Sequence, residues 1–61
     1  MKYRKLKGRD VWHWCTNCDD WPSTPGTYDE IDLPAGQRPS SGELDDECRS
    51  KEASGACQTA S

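Results

Sequence analysis

The sequence predicts a small α+β domain organised by a metal ion, with a β-hairpin, a zinc knuckle, an irregular loop and one short C-terminal helix. Three observations predict it. The chain has only 61 residues and few large apolar side chains. A Cys-x-x-Cys motif, from Cys15 to Cys18, follows an aromatic stretch, and helix-start signals precede Cys48. We expect a single domain over residues 1–57 and a frayed end over residues 58–61.

The small size of the chain is the reason to expect a metal. Below roughly 70–80 residues, an apolar core alone rarely stabilises a fold, and a metal, disulfides or a partner usually contributes. A structural zinc site supplies an apparent binding energy on the order of 10–16 kcal/mol. We therefore expect a structural zinc ion to provide much of the free energy of folding.

The first part of the chain predicts a hairpin. Residues 2–7 alternate imperfectly between polar and apolar side chains, and Gly8 marks a turn. Residues 11–15 are rich in aromatic and β-branched side chains, which is typical of a second strand. Trp12 and Trp14 would then share one face of that strand.

The middle of the chain predicts a loop and its last part a helix. Residues 22–42 contain all four prolines and read as an irregular segment with short extended pieces. Ser40 and Glu43 have the spacing of a capping box, so we expect a helix over roughly residues 43–53. Gly55 is placed to end it in a left-handed conformation.

The cysteines are the candidate metal ligands, because thiolates are preferred zinc ligands and four of them suit a closed structural site. The expected set is Cys15, Cys18, Cys48 and Cys57. The first two form the knuckle and the third lies on the helix. Cys57 is the preferred fourth ligand. Asp45, through a carboxylate oxygen, and His13 are the alternatives for that position.

Two motifs carry a family resemblance. The first is Cys15-Thr16-Asn17-Cys18 and the second is Gly42-Glu43-Leu44-Asp45-Asp46-Glu47-Cys48. Together, over roughly residues 11–57, they resemble the treble-clef and zinc-ribbon class of zinc finger, which includes the GATA-type fingers. There a Cys-x-Asn-Cys knuckle precedes an irregular β-segment and a helix that begins with a second Cys-x-x-Cys. The chain also resembles small bacterial proteins with a Trp-His-x-Cys-x-Asn-Cys stretch and a later Gly-Glu-Leu-Cys-x-x-Cys. It departs from both patterns at Asp45, where they have cysteine.

The charge distribution bears on the partner. Residues 1–9 carry five basic side chains and no acid, whereas the rest of the chain carries all eleven acids, for a net charge of −3. A globally basic nucleic-acid binder is therefore excluded. We expect a non-enzymatic binding or adaptor module that docks a protein through an acidic helix face of Glu43, Asp46 and Glu47. The alternative is that the basic hairpin and its tryptophans bind single-stranded nucleic acid.

Catalysis has little support in the sequence. The run Trp14-Cys15-Thr16-Asn17-Cys18 is similar to the thioredoxin motif, but that chemistry needs a βαβ context for which this chain is too short. No serine or cysteine lies in a recognisable nucleophile setting with a base. We therefore expect no enzyme.

The compartment is expected to be the cytoplasm. Residues 1–7 are basic and polar instead of forming an apolar signal segment, and no stretch approaches the ~20 apolar residues of a membrane span. We accordingly expect reduced thiols, no membrane contact and a monomer. The weaker alternative is a secreted miniprotein stapled by disulfides.

Overall fold

The computed structural model describes residues 1–59 and contains two strands, a short 3-10 helix and one α-helix. Strand β1 spans Lys2–Leu6 and strand β2 spans Tyr28–Asp32. The 3-10 helix spans Ser41–Glu43, and helix α1 spans Asp46–Ser54. The two strands form an antiparallel sheet. The predicted α+β arrangement, with one antiparallel strand pair and one helix, is thus confirmed.

Opposite charges pair β1 with β2. Arg4 lies directly across from Glu30, and its Nε donates a hydrogen bond of 2.7 Å to that carboxylate. The same guanidinium group lies over the rings of Trp21 and Tyr28, at 4.8 and 4.4 Å from their centroids. Cross-strand pairs of opposite charge stabilise a sheet by roughly 0.2–1 kcal/mol each. Arg4 therefore holds the strand pair together and covers two aromatic rings.

The predicted partner of β1 is wrong. Residues 11–15, named here the central segment, pair with β1 at one position only, where His13 and Arg4 exchange two backbone hydrogen bonds of 2.8 Å. The physical reason is that β1 finds a charge-complementary strand in β2. The backbone of the central segment is needed elsewhere.

The central segment connects three parts of the molecule. Trp12 donates a backbone hydrogen bond to Glu43 and accepts one from Asp45, which ties the segment to the residues before α1. Cys15 forms a bridge with Thr59 near the C-terminus. Because successive residues of an extended chain direct their backbone groups to opposite sides, one short segment can serve several neighbours. The central segment therefore contacts β1, the residues before α1 and the residues near the C-terminus.

The core contains aromatic rings and sulfur instead of aliphatic side chains. Within residues 1–59, the buried hydrophobic side chains are Tyr3, Trp14, Cys15, Cys18 and Cys48. His13 is buried beside them as a polar group. The rings of Tyr3 and Trp14 lie 5.9 Å apart. A core this small buries little apolar surface, so other interactions must contribute to the stability of the fold.

The irregular loop is attached to α1 through one buried ring. Arg38 of the loop lies 5.1 Å from the Trp14 ring centroid and donates two hydrogen bonds, of 3.1 and 3.2 Å, to Glu52 on the helix. Trp14 Nε1 donates to the same carboxylate at 3.1 Å. Glu52 therefore fixes both the loop and the core ring to the helix.

Helix α1 begins at Asp46, later than the start near residue 43 that the capping box predicts. Leu44 and Asp45, between the 3-10 helix and α1, are extended because this stretch pairs with Trp12 of the central segment. Ser40 makes no side-chain cap bond. Asp45 is the N-cap instead, and its carboxylate accepts a hydrogen bond of 3.0 Å from the backbone N–H of Cys48.

The helix ends where the sequence predicts. Gly55 follows it with a φ of 78°, a left-handed conformation that glycine adopts without steric cost. Only Cys48 of α1 is buried, so the helix has almost no apolar face with which to dock. Among residues 1–59, no helix has the length and apolar character needed to cross a membrane.

The chain beyond α1 is held by the knuckle. The Asn17 amide donates to the carbonyl of Ala56 at 2.8 Å and accepts from the backbone N–H of Gln58 at 3.1 Å. The hydroxyl of Thr16 donates to the carbonyl of Gln58 at 2.8 Å. We name residues 56–59 the C-terminal strap.

The predicted frayed end begins at residue 58, and the structure describes its first two residues. Gln58 and Thr59 are fixed by hydrogen bonds to the knuckle and by the bridge to Cys15. A side chain between the two knuckle cysteines supplies this order, which composition alone does not reveal. Residues 60 and 61 lie outside the described residues.

The two hydrogen bonds between Asn17 and the C-terminal strap can be tested by mutation. Asn17→Ala removes both of its hydrogen bonds to the strap, and we expect the free energy of unfolding to fall by about 1–3 kcal/mol in urea denaturation. Asn17→Asp keeps the acceptor and loses the donor, so its stability should lie between that of the wild type and that of Asn17→Ala. Equal stability of all three proteins would contradict a stabilising role for these hydrogen bonds.

Candidate metal centre

Four side chains converge on one point in the core. They are His13, Cys18, Asp45 and Cys48, whose candidate ligand atoms all lie within 4.8 Å of one another. They come from three places: the central segment, the knuckle and the first turn of α1 with its cap. His13, Cys18 and Cys48 are buried, and Asp45 is half-buried. Such a group is close enough to bind a metal ion.

Four of the six separations between the candidate ligand atoms are close to those of a tetrahedral site. His13 Nδ1 lies 3.7 Å from Cys18 Sγ and 3.9 Å from Cys48 Sγ. Asp45 Oδ2 lies 3.5 Å from Cys18 Sγ and 3.5 Å from His13 Nδ1. Tetrahedral bonds of ordinary length to zinc place neighbouring ligand atoms about 3.3–3.8 Å apart. These four separations are therefore compatible with a zinc site, and the other two are no longer than 4.8 Å.

Asp45 is oriented by the helix that it caps. The Oδ2 atom that faces the cluster also accepts the backbone N–H of Cys48 at 3.0 Å. Hydrogen bonds of this kind, made by a ligand to its surroundings, fix its orientation toward a metal. The cap therefore places Asp45 and Cys48 on the same point.

Burial determines the ionisation of the two thiols. Desolvation raises the pKa of both Cys18 and Cys48 above the ordinary value of 9.0, so the thiols are protonated at neutral pH when no cation is bound. Backbone hydrogen bonds act in the opposite direction, from Asp20 on Cys18 and from Cys15 and Trp14 on Cys48. These contacts favour thiolates, the form in which cysteine binds a metal.

The structure divides the four predicted ligands into two pairs. Cys18 and Cys48 are free, buried and part of the cluster. Cys15 and Cys57 are joined by a disulfide bond across 42 residues of sequence. A sulfur in a disulfide has no thiolate to offer a metal, so these two do not lie among the ligand atoms of the cluster. The bond also differs from the expectation that all four thiols are reduced.

The other two corners are the two alternatives for the fourth ligand. His13 is the less favoured of these two alternatives, because strand alternation places it on the same face as Cys15. Two residues along an extended chain are roughly 6.6 Å apart, so one can enter the cluster while the other bonds elsewhere. Asp45 stands three residues before Cys48. That is the spacing between an N-cap residue and the residue whose backbone N–H it binds. The spacing therefore predicts that Asp45 and Cys48 lie in contact.

No family model matches the chain, and neither a curated protein nor a solved structure matches it significantly. The treble-clef resemblance stays a prediction. The indications of the protein's function are therefore the geometry and the chemistry of the candidate metal centre.

The division of the cysteines predicts a labelling pattern. Iodoacetamide, applied to unfolded but unreduced protein after chelation, should modify Cys18 and Cys48 only, because Cys15 and Cys57 are bonded to each other. Peptide mapping by mass spectrometry should then find the 15–57 crosslink. Labels on all four cysteines would contradict the disulfide, and a protein without labels would indicate a second one.

Proposed function

We propose that this protein is a small zinc-binding module in which one structural ion joins the central segment, the knuckle and helix α1. The observation that carries the proposal is the convergence of four ligand atoms, from separate parts of the chain, within 4.8 Å of one another. The ligands would be His13, Cys18, Asp45 and Cys48.

The chemistry of the ligands favours zinc. Calcium and magnesium prefer sites made of oxygen atoms, whereas this cluster offers two sulfurs, one nitrogen and one oxygen. Zinc accepts all three ligand types and prefers four-coordinate tetrahedral geometry in structural sites. Thiolates also bind copper(I) and iron, so the identity of the bound metal must be measured.

The fold has a clear need for such an ion. Within residues 1–59 the buried hydrophobic core consists of two aromatic rings and three cysteines. Helix α1 contributes only Cys48 to it. A zinc ion would bond the start of this helix to the centre of the core, with an apparent binding energy on the order of 10–16 kcal/mol. We propose that the zinc acts through this stability and that the module has no catalytic role.

We propose further that the module binds a protein partner through charged contacts. Met1 is the one large apolar side chain exposed among the described residues, so an apolar docking surface has no support. Glu43 and Asp46 are exposed near the start of α1, with Asp46 4.0 Å from Arg49. Glu47 is partly engaged, because it accepts a hydrogen bond from the backbone of Asp19. A basic surface would complement these exposed acids.

Two observations count against the nucleic-acid alternative. Arg4 of β1 is bonded to Glu30 of β2, and Lys7, which follows β1, lies within 3.4 Å of Asp29. Trp14 is completely buried, so its ring cannot stack on a base. Part of the basic, aromatic surface that such binding requires is therefore used inside the fold.

The ligand set can be tested by native mass spectrometry. The wild type should carry one zinc ion, and a chelator should remove the ion together with much of the folded structure. Cys18→Ser should bind no zinc, because it loses a thiolate of the cluster. The double variant Cys15→Ser/Cys57→Ser should keep its zinc, because it loses only the disulfide.

The double variant separates the two ligand sets. If it loses zinc while His13→Ala keeps it, the ligands are the four cysteines and the proposed set is wrong. A folded wild type that carries no metal after exposure to zinc would contradict the function itself. Elemental analysis of the protein as purified should identify zinc instead of iron or copper.

Nucleic-acid binding is testable directly. Because Arg4 and Lys7 are paired with acids of β2, fluorescence anisotropy with labelled single-stranded oligonucleotides should detect no binding at low salt. Binding that weakens steeply with salt, and that Lys2→Glu/Lys5→Glu abolishes, would overturn this expectation. Arg49→Glu, a charge reversal on α1, is the matched control.

A further inference from the structure

The candidate metal centre has one open side. A cavity of about 250 Å³ lies against it, lined by Leu6, Arg9, Val11, His13, Asp20 and Asp45. Two of these six residues are candidate ligands. Cys18 and Cys48 do not line the cavity. The sulfur side of the centre is therefore enclosed, while its nitrogen and oxygen side faces a space large enough for a small molecule.

We propose that this cavity admits a small monocarboxylate, which binds the metal ion in place of Asp45. The inference rests on the zinc-binding function proposed above and adds an exchangeable position to it. The exchange forms one metal–oxygen bond and breaks another, with no change of oxidation state.

Asp45 is the ligand best placed to leave. Its side chain is 15% exposed, against 4% for that of His13, and it lines the cavity. A carboxylate oxygen is also a harder ligand than the two thiolates, which hold zinc more strongly. Oδ2 also accepts the backbone N–H of Cys48 at 3.0 Å, so a side chain that turns away from the ion keeps the helix capped only through its other oxygen, Oδ1. The exchange itself leaves the other three ligands in place.

The cavity wall favours a carboxylate of one negative charge. Replacing one carboxylate by another leaves the charge around the ion unchanged. Arg9 has no side-chain partner among the described residues, so its guanidinium group is free to pair with an anion. Asp20 disfavours a second negative charge in the same space. Leu6 and Val11 offer an apolar wall to a short hydrocarbon tail.

Propionate is a suitable probe, and cobalt(II) in place of zinc makes the coordination visible by absorption. Propionate should change the spectrum of the cobalt protein saturably, whereas chloride at equal ionic strength should not. Asp45→Ser keeps a capping oxygen but lacks the competing carboxylate. It should bind propionate at least about tenfold more tightly, as expected if Asp45 occupies the position for roughly nine-tenths of the time.

A matched pair of arginine variants tests the cavity. Arg9→Gln should weaken propionate binding several-fold, whereas Arg49→Gln, which removes the same charge from α1 outside the cavity, should not. Equal weakening by both would overturn recognition in the cavity and leave only general charge attraction.

The remaining outcomes separate this inference from the function on which it rests. If Asp45→Ser binds cobalt, keeps its helix by circular dichroism and does not respond to propionate, the exchangeable position is refuted and the zinc-binding function stands. If neither the wild type nor the variant binds cobalt or zinc, the zinc-binding function fails first. Asp45→Asn, which also keeps a capping oxygen, replaces Asp45→Ser in the test if the serine variant does not fold.

Discussion

The contact on which the fold depends is the meeting of His13, two thiols and a carboxylate inside a very small core. Burying polar groups costs free energy unless they are bonded. Here four of the six separations between these groups are 3.5–3.9 Å, and a single cation could bond to all four groups. Without a cation the thiols are neutral and their contacts weak. The same arrangement that destabilises a metal-free core would therefore stabilise a metal-bound one.

The two pairs of cysteines tie down different parts of the chain. The bond between Cys15 and Cys57 closes a loop of 42 residues, which by loop entropy alone corresponds to about 4 kcal/mol. Together with the two hydrogen bonds of Asn17, it fixes the C-terminal strap on the knuckle. A metal ion bound by the cluster would instead fix the start of α1 to the central segment. Since the helix has almost no apolar face, the disulfide could not replace such an ion.

The sequence predicts those features that depend on local signals. Gly55 ends the helix as expected, and the knuckle and Cys48 face the same core. The partner of β1 could not be found from apolar alternation, because β2 is rich in acids that strands usually avoid. The signal was charge complementarity between two distant segments. The alternation of strand faces likewise treats His13 and Cys15 as equivalent, although His13 lies in the cluster and Cys15 is bonded to Cys57.

Asp45 connects the metal, the helix and the cavity through one atom. Its Oδ2 caps α1 and faces the cluster, so a bound ion and a formed helix each favour the same rotamer. The cap does not need the ion, however, because the backbone N–H of Cys48 is satisfied in either case. The thiols of Cys18 and Cys48 are buried and do not line the cavity. The cluster therefore combines two enclosed thiols, which suit a stable site, with a carboxylate that lines the cavity and also caps the helix.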